Sequence, residues 1–136
     1  MNILFFLTPK SEVEFVYNDD TISSVMEILE KSTYTAIPVI SRTGQYRGSV
    51  SEGDILWAVK NDYNFDETGF SKVHLSKITK KIKYSPVKVD EKVDNMIDRV
   101  INQNFVPVID DDEVFIGIVK RKDVLQYYIG QAKKEV

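Results

Sequence analysis

The sequence predicts an α+β fold made of two β-α-β-β-α repeats. Three observations predict it. Pro38-Val39-Ile40, Gly48 and Asp54-Ile55-Leu56 recur as Pro107-Val108-Ile109, Gly117 and Asp123-Val124-Leu125, at an offset of 107 − 38 = 69 residues. Such self-similarity marks one supersecondary unit used twice. A run of apolar residues at helical spacing precedes each Pro-Val-Ile segment. After each segment a second extended stretch follows, and then a carboxylate where the next helix opens. The repeats divide the 136 residues into 1–63 and 64–136.

In the first repeat, Glu14 to Tyr17 reads as a short strand. Asp19, Asp20 and Thr21 then offer oxygens to cap a helix. Ile22, Val25, Met26 and Leu29 fall at i, i+3, i+4 and i+7, one apolar helix face. Ile37-Pro38-Val39-Ile40 is extended, because a residue before proline is driven out of the α region. Thr43-Gly44 marks a turn. Tyr46 to Ser51 returns as a strand containing Gly48, and Asp54 opens a helix carrying Ile55, Leu56 and Val59.

The second repeat keeps that order. Val87 to Val89 is the strand, Asp90 the cap, and Val93, Met96, Ile97, Val100 and Ile101 the helix face. Val106 to Ile109 and Val114 to Val119 are strands, joined by a solvated turn at Asp110-Asp111-Asp112-Glu113. Val124, Leu125, Tyr128 and Ile129 lie on the closing helix. Residues from about Lys60 to Lys77 connect the repeats and hold Gly69 and His74. Leu75 and Ile78 echo Leu4 and Leu7, which predicts a short lead-in helix before each first strand.

Composition narrows the function. A net charge of −3 gives no pull toward nucleic acid or an acidic membrane surface. The absence of cysteine excludes disulfides, thiolate catalysis and cysteine zinc sites, and fits a reducing, cytoplasmic setting. The apolar start, Met1 to Leu7, lacks a basic leader and is broken by Thr8-Pro9-Lys10, so it reads as a short buried segment rather than a signal peptide. No apolar run approaches the ~18 residues of a membrane span.

The residues with chemistry cluster where strands meet helices. Gly48-Ser49-Val50-Ser51-Glu52-Gly53-Asp54 brings a hydroxyl and a carboxylate to a helix start. Asp54 can accept the two hydroxyls of a ribose, with Ser51 donating to a sugar or phosphate oxygen; equally, Asp54 can simply cap its helix. The matching Gly117-Ile118-Val119-Lys120-Arg121-Lys122-Asp123 puts three cations before the acid, which suits phosphate or a solvated basic turn. Tyr34-Thr35-Ala36-Ile37-Pro38 offers an aromatic ring and a strand edge to an adenine, or a surface tyrosine and core residues. The matching stretch is Gln103-Asn104-Phe105-Val106-Pro107. The acidic turn lacks the alternating ligands and glycine of a calcium loop, and His74 has no evident partner. No nucleophile motif, phosphate-cradling glycine loop or paired metal-ligand spacing occurs, which favours a binding module over an enzyme.

With these residues in place, each repeat resembles a cystathionine-β-synthase (CBS) domain, and the pair resembles a Bateman module, over about Phe6 to Ile129. The resemblance implies two repeats packed with pseudo-two-fold symmetry, disc-shaped homodimers, and adenine-nucleotide sites in the cleft between repeats, with no cofactor and no metal. Carried over by position, one site comprises Thr8, Glu12, Val13, Glu14, Tyr34, Thr35 and Ala36 with Lys120, Arg121 and Asp123. The other comprises Thr79, Lys83, Tyr84, Ser85, Asn104, Phe105 and Val106 with Ser51 and Asp54. Ser51 keeps the hydroxyl usual in the ribose motif; Lys120 does not, which implies more phosphate at the first site. The implied ligand is AMP, ADP or ATP first, with cyclic di-AMP behind it, since short stretches also look similar to small stand-alone CBS proteins that bind that dinucleotide. A ligand-free dimerisation module is the other alternative. The implied output runs through an effector protein.

Overall fold

The computed structural model describes residues 1–62, 72–78 and 84–134. Its strands are β1 (Leu7–Pro9), β2 (Val16–Tyr17), β3 (Ala36–Ile40), β4 (Tyr46–Ser51), β5 (Val87–Lys88), β6 (Phe105–Ile109) and β7 (Phe115–Lys120). The α-helices are α1 (Ile22–Lys31), α2 (Glu52–Asp62), α3 (Ile97–Asn102) and α4 (Arg121–Lys134). Short 3-10 turns at Ile3–Phe6 and Leu75–Lys77 are the two lead-in helices that the sequence predicts. The chain forms two compact units, Glu14–Lys83 and the pair Met1–Val13 with Tyr84–Val136. The spatial division therefore differs from the division into sequence repeats, because the first residues of repeat 1 fold with repeat 2.

In the unit Glu14–Lys83 the sheet order is β2-β3-β4. β2 runs parallel to β3, and β3 pairs antiparallel with β4. β2 meets only Val39 and Ile40, so Pro38 has no strand on that flank and its missing N–H breaks no rung. Thr21 caps α1 by accepting the Ser24 amide at 3.3 Å. Ile22, Val25 and Leu29 of α1 pack on Val16, Ile37 and Val50.

In the other unit the order is β1-β7-β6-β5. Again β5 meets only Val108 and Ile109, which spares Pro107. β1 lies antiparallel on the outer edge of β7, with Leu7 opposite Val119 and Thr8 opposite Ile118. The amide of Ile3 donates to Glu91, and that of Val93 to Met1, so the first residues are laced to the start of the helical segment. Gly117 makes the close approach of β1 possible. Its φ is +156°, and a Cβ there would collide with the Thr8 carbonyl oxygen.

Several expectations need correction. The first strands are shorter than read, since Glu14 and Phe15 precede β2 and Val89 follows β5. Asp90 is not the cap; the turn Val93–Met96 starts from Lys92, which makes no side-chain capping bond. Met26, Ile97 and Ile101 are exposed rather than core. In both copies the buried positions are i, i+3 and i+7, and the i+4 residue falls at the flank of the stripe. The apolar start is only partly buried. With three residues per turn, Ile3 and Phe6 share the inner face and Leu4 and Phe5 face outward.

The two hairpin turns obey one rule. Gly44 and Glu113 occupy equivalent places, with φ of 91° and 66°. Asp110 builds its turn by accepting the amides of Asp112 and Val114 at 2.8 and 2.9 Å. Ser41 accepts the Gln45 amide at 3.1 Å in the first copy. The acidic run is thus an organised turn, and no metal cluster forms among the described residues.

Candidate functional site

Each unit carries a hollow beside its strand-to-helix segment. In the unit Glu14–Lys83 the hollow measures about 380 Å³. Tyr34 and Thr35 approach it from the entry to β3, and Ser51, Glu52 and Gly53 from the start of α2. Ser32 and Thr33 add hydroxyls, and Glu30 and Glu52 are its charged residues. Tyr34 is held by its amide, which donates to the Ser32 hydroxyl at 3.0 Å. Asp54 sits one turn in, half-buried. Its Oδ2 accepts the Ser51 amide at 2.9 Å, while its own amide donates to the Ser51 hydroxyl at 3.2 Å. This reciprocal pair closes the start of α2.

In the other unit the hollow measures about 490 Å³. β1 brings Thr8 to it because the Gly117 approach fixes β1 against β7. The first two turns of α4 bring Asp123, Gln126 and Tyr127. Phe5 and Phe6 complete an aromatic wall, in which Phe6 meets Tyr127 edge-to-face at 5.3 Å between ring centres. The only charged residue lining this hollow among the described residues is Asp123.

The structure thus brings Thr8 together with Asp123, and Tyr34 and Thr35 together with Ser51. Other expected site residues stand as follows. Glu12 lies exposed on the turn Lys10–Glu12, and Glu14 is exposed where the next unit begins. Val13, Ala36, Phe105 and Val106 bury their side chains. Tyr84 has φ 64° and packs its ring on Phe105 at 4.6 Å. The Ser85 hydroxyl donates to Gln103 at 3.3 Å, and the Asn104 carbonyl accepts the Arg121 amide at 2.9 Å. Lys120 ends β7 opposite Phe105. Thr79 and Lys83, like Gly69 of the connector, lie outside the described residues.

Arg121 has a partner that the sequence does not announce. Its Nε donates to the Val100 carbonyl at 2.6 Å, so the guanidinium closes the end of α3. The equivalent residue in the first copy is Glu52, which lines a hollow instead. His74 is exposed and forms an isolated bridge with Thr21. Phe5, Gln126 and Tyr127 are hollow residues that sequence reasoning missed. The available signal was the three-residue period of the lead-in turn, which sends Ile3 inward and Phe5 outward.

Comparison with known proteins follows the same pattern. The family model described as CBS domain matches twice, at residues 7–61 and 76–130. A CBS domain-containing protein of Dictyostelium discoideum is 25% identical over 117 residues, covering 82% of this chain and 81% of that protein. The structure of CbpB in complex with c-di-AMP superposes with a TM-score of 0.87 at 21% identity, covering 100% of this chain and 91% of that one. CBSX2 in complex with AMP superposes with a TM-score of 0.77 at 20% identity, covering 96% and 98%. No helix among the described residues is long and apolar enough to cross a membrane.

Proposed function

Given that the chain belongs to the CBS domain family, we propose that it is a non-catalytic regulatory module that binds an adenine nucleotide and signals its occupancy to an effector protein. The observation that carries this reading is the pair of hollows beside the strand-to-helix segments. Thr8 and Asp123 meet at one, and Tyr34, Thr35 and Ser51 at the other. Hydroxyls, a carboxylate and aromatic rings are the groups that recognise a sugar and a purine. AMP, ADP or ATP is the first ligand class. Cyclic di-AMP is the second, supported by the complex that CbpB forms with it. A ligand can shift the module only by its difference in affinity for two arrangements, typically ~1–3 kcal/mol.

The exposed apolar positions support self-association. Leu56 and Leu125 hold equivalent places in the two repeats and are 58% and 56% exposed; Met26 and Ile97, at equivalent places on their helices, are each 37% exposed. Apolar positions repeated in this way, one set on each unit, suit self-association as a homodimer. Trp57, beside Leu56, adds a large exposed ring.

Titration calorimetry of the purified chain with AMP, ADP, ATP and cyclic di-AMP tests the ligand. Saturable heat from one of them, with no product after incubation, is expected. No heat and no thermal shift from any would refute the sensor. Sedimentation tests the dimer. Leu56→Glu combined with Leu125→Glu is expected to give monomers; an unchanged sedimentation coefficient refutes that surface.

A further inference from the structure

We infer that the unit Met1–Val13 with Tyr84–Val136 pairs with the same unit of a second copy of this chain, the exposed face of α3 on one lying against that of α4 on the other. This inference rests on the self-association proposed above and names its surface and its pairing.

Two ties build the face. Arg121 opens α4, and its Nε donates to the Val100 carbonyl of α3 at 2.6 Å. About two turns further along α4, the Tyr128 hydroxyl donates to Asp94 Oδ1, just before α3, at 2.7 Å. The two helices are thereby held side by side. Glu52 and Val59 hold the equivalent places in the first repeat, and neither side chain can donate such a bond. Four aliphatic side chains stay exposed on the tied pair. Ile97 and Ile101 of α3 are 37% and 67% exposed, and Leu125 and Ile129 of α4 are 56% and 46% exposed. Each pair is spaced i and i+4, so it forms a stripe along its helix. An apolar patch of this kind marks an interaction surface.

The charges beside the stripes select the partner. Asp98 stands beside Ile97 and Ile101. On α4, Lys122, Leu125, Ile129 and Lys133 recur at i, i+3, i+7 and i+11, one line along the helix. Asp98, Lys122 and Lys133 are exposed and make no ion pair among the described residues. One stripe is therefore edged by acid and the other by base. Pairing α3 with α3, or α4 with α4, would set like charges together. Pairing α3 with α4 of a second copy sets Asp98 against the lysines, and a two-fold axis makes the match twice. The unit Glu14–Lys83 lacks this separation of sign, because Glu52 and Lys60 flank Leu56 four residues to either side on one helix.

Sedimentation of the full chain over a concentration series, with thermal melting as the check on folding, tests the pairing. Wild type is expected to dimerise. Asp98→Lys alone, and Lys122→Glu combined with Lys133→Glu, are each expected to weaken the dimer about tenfold or more with melting temperatures nearly unmoved, because each sets like charges against one another. Mixing these two variants one to one is expected to restore wild-type association, since every facing pair then has opposite signs. Leu125→Glu is expected to give monomers and Leu56→Glu alone to leave the dimer. Folded variants that dimerise as wild type does, or a mixture that stays monomeric, overturn the pairing and leave the homodimer standing. A dimer broken by Leu56→Glu and not by Leu125→Glu also overturns it, in favour of the other unit. A wild-type chain that is monomeric throughout the series removes the homodimer and this pairing together.

Discussion

Replacing Gly117 by alanine tests the packing on which the Asp123 hollow depends. The new Cβ would overlap the Thr8 carbonyl oxygen and lie 2.9 Å from Leu7 Cδ1 and 3.1 Å from Pro9 Cα. Two of those three atoms belong to backbone, so a side-chain rotation cannot relieve the clash. The φ of +156° adds strain of about 1–3 kcal/mol for a residue with a side chain. Pushing β1 away from β7 adds a cost of about 1–3 kcal/mol, typical of overpacking. Together they predict a loss of about 3 kcal/mol, near 10 °C in melting temperature for a domain of this size. Gly130→Ala is the control. Nothing lies within 4 Å of a Cβ at Gly130, in the interior of α4. There, alanine should stabilise by about 0.5–1 kcal/mol. Urea unfolding of the wild type and both variants reads the difference. Equal midpoints for Gly117→Ala and wild type would show that β1 does not press on Gly117 as described.

Three further outcomes follow from the structure. Glu113→Gly is expected to stabilise by about 1 kcal/mol, because a φ of 66° suits glycine better than glutamate; urea midpoints measure it. Hydrogen bonds from Asn95 and then the Lys92 amide hold the Glu91 carboxyl below its usual 4.5, and the Arg42 guanidinium holds that of Asp19 below 3.8. Folded values below the unfolded ones mean that this stability is in place above about pH 4.5 and is lost as pH falls through the lowered values. Glu91→Gln should flatten that acid limb, and an unchanged limb contradicts the assignment. The hydrogen bond from Tyr128 to Asp94, at 2.7 Å, pushes the Tyr128 hydroxyl up to about 12. That contribution is present below the ordinary value of 10 and fades as pH rises toward 12, so Tyr128→Phe should lose less stability than wild type over that interval.

The elements were legible where local chemistry decides them. The helical period at Ile22, Val25 and Leu29 and the pre-proline residues at Ile37 and Val106 stand in the structure as read. The Ser51 and Asp54 spacing also announced its cap. What stayed hidden depends on partners far along the chain. β1 is only three residues long and pairs with β7 more than a hundred positions away, so no window of sequence contains the pairing. Gly117 carried a hint, since glycine inside a strand often marks a close backbone approach. The side-chain type of Arg121 allows a phosphate contact, and its tie to Val100 was hidden because it depends on how α3 ends. The exposure of Ile97 and Ile101 turned on which edge of an apolar stripe meets the sheet, a matter of rotation that spacing leaves open.

The borrowing of Met1–Val13 by the later unit has a bearing on how the chain is made. During synthesis those residues emerge well before β7 and wait for it, while Glu14–Lys83 is contiguous in the chain. A fragment severed at the repeat boundary would strand β1 with the wrong half. The bare rim of β7 would then invite a foreign strand, a known route to aggregation. Reordering the chain to start at Glu14, with a flexible tether from Val136 back to Met1, would make both units contiguous and shorten the search that β1 must complete.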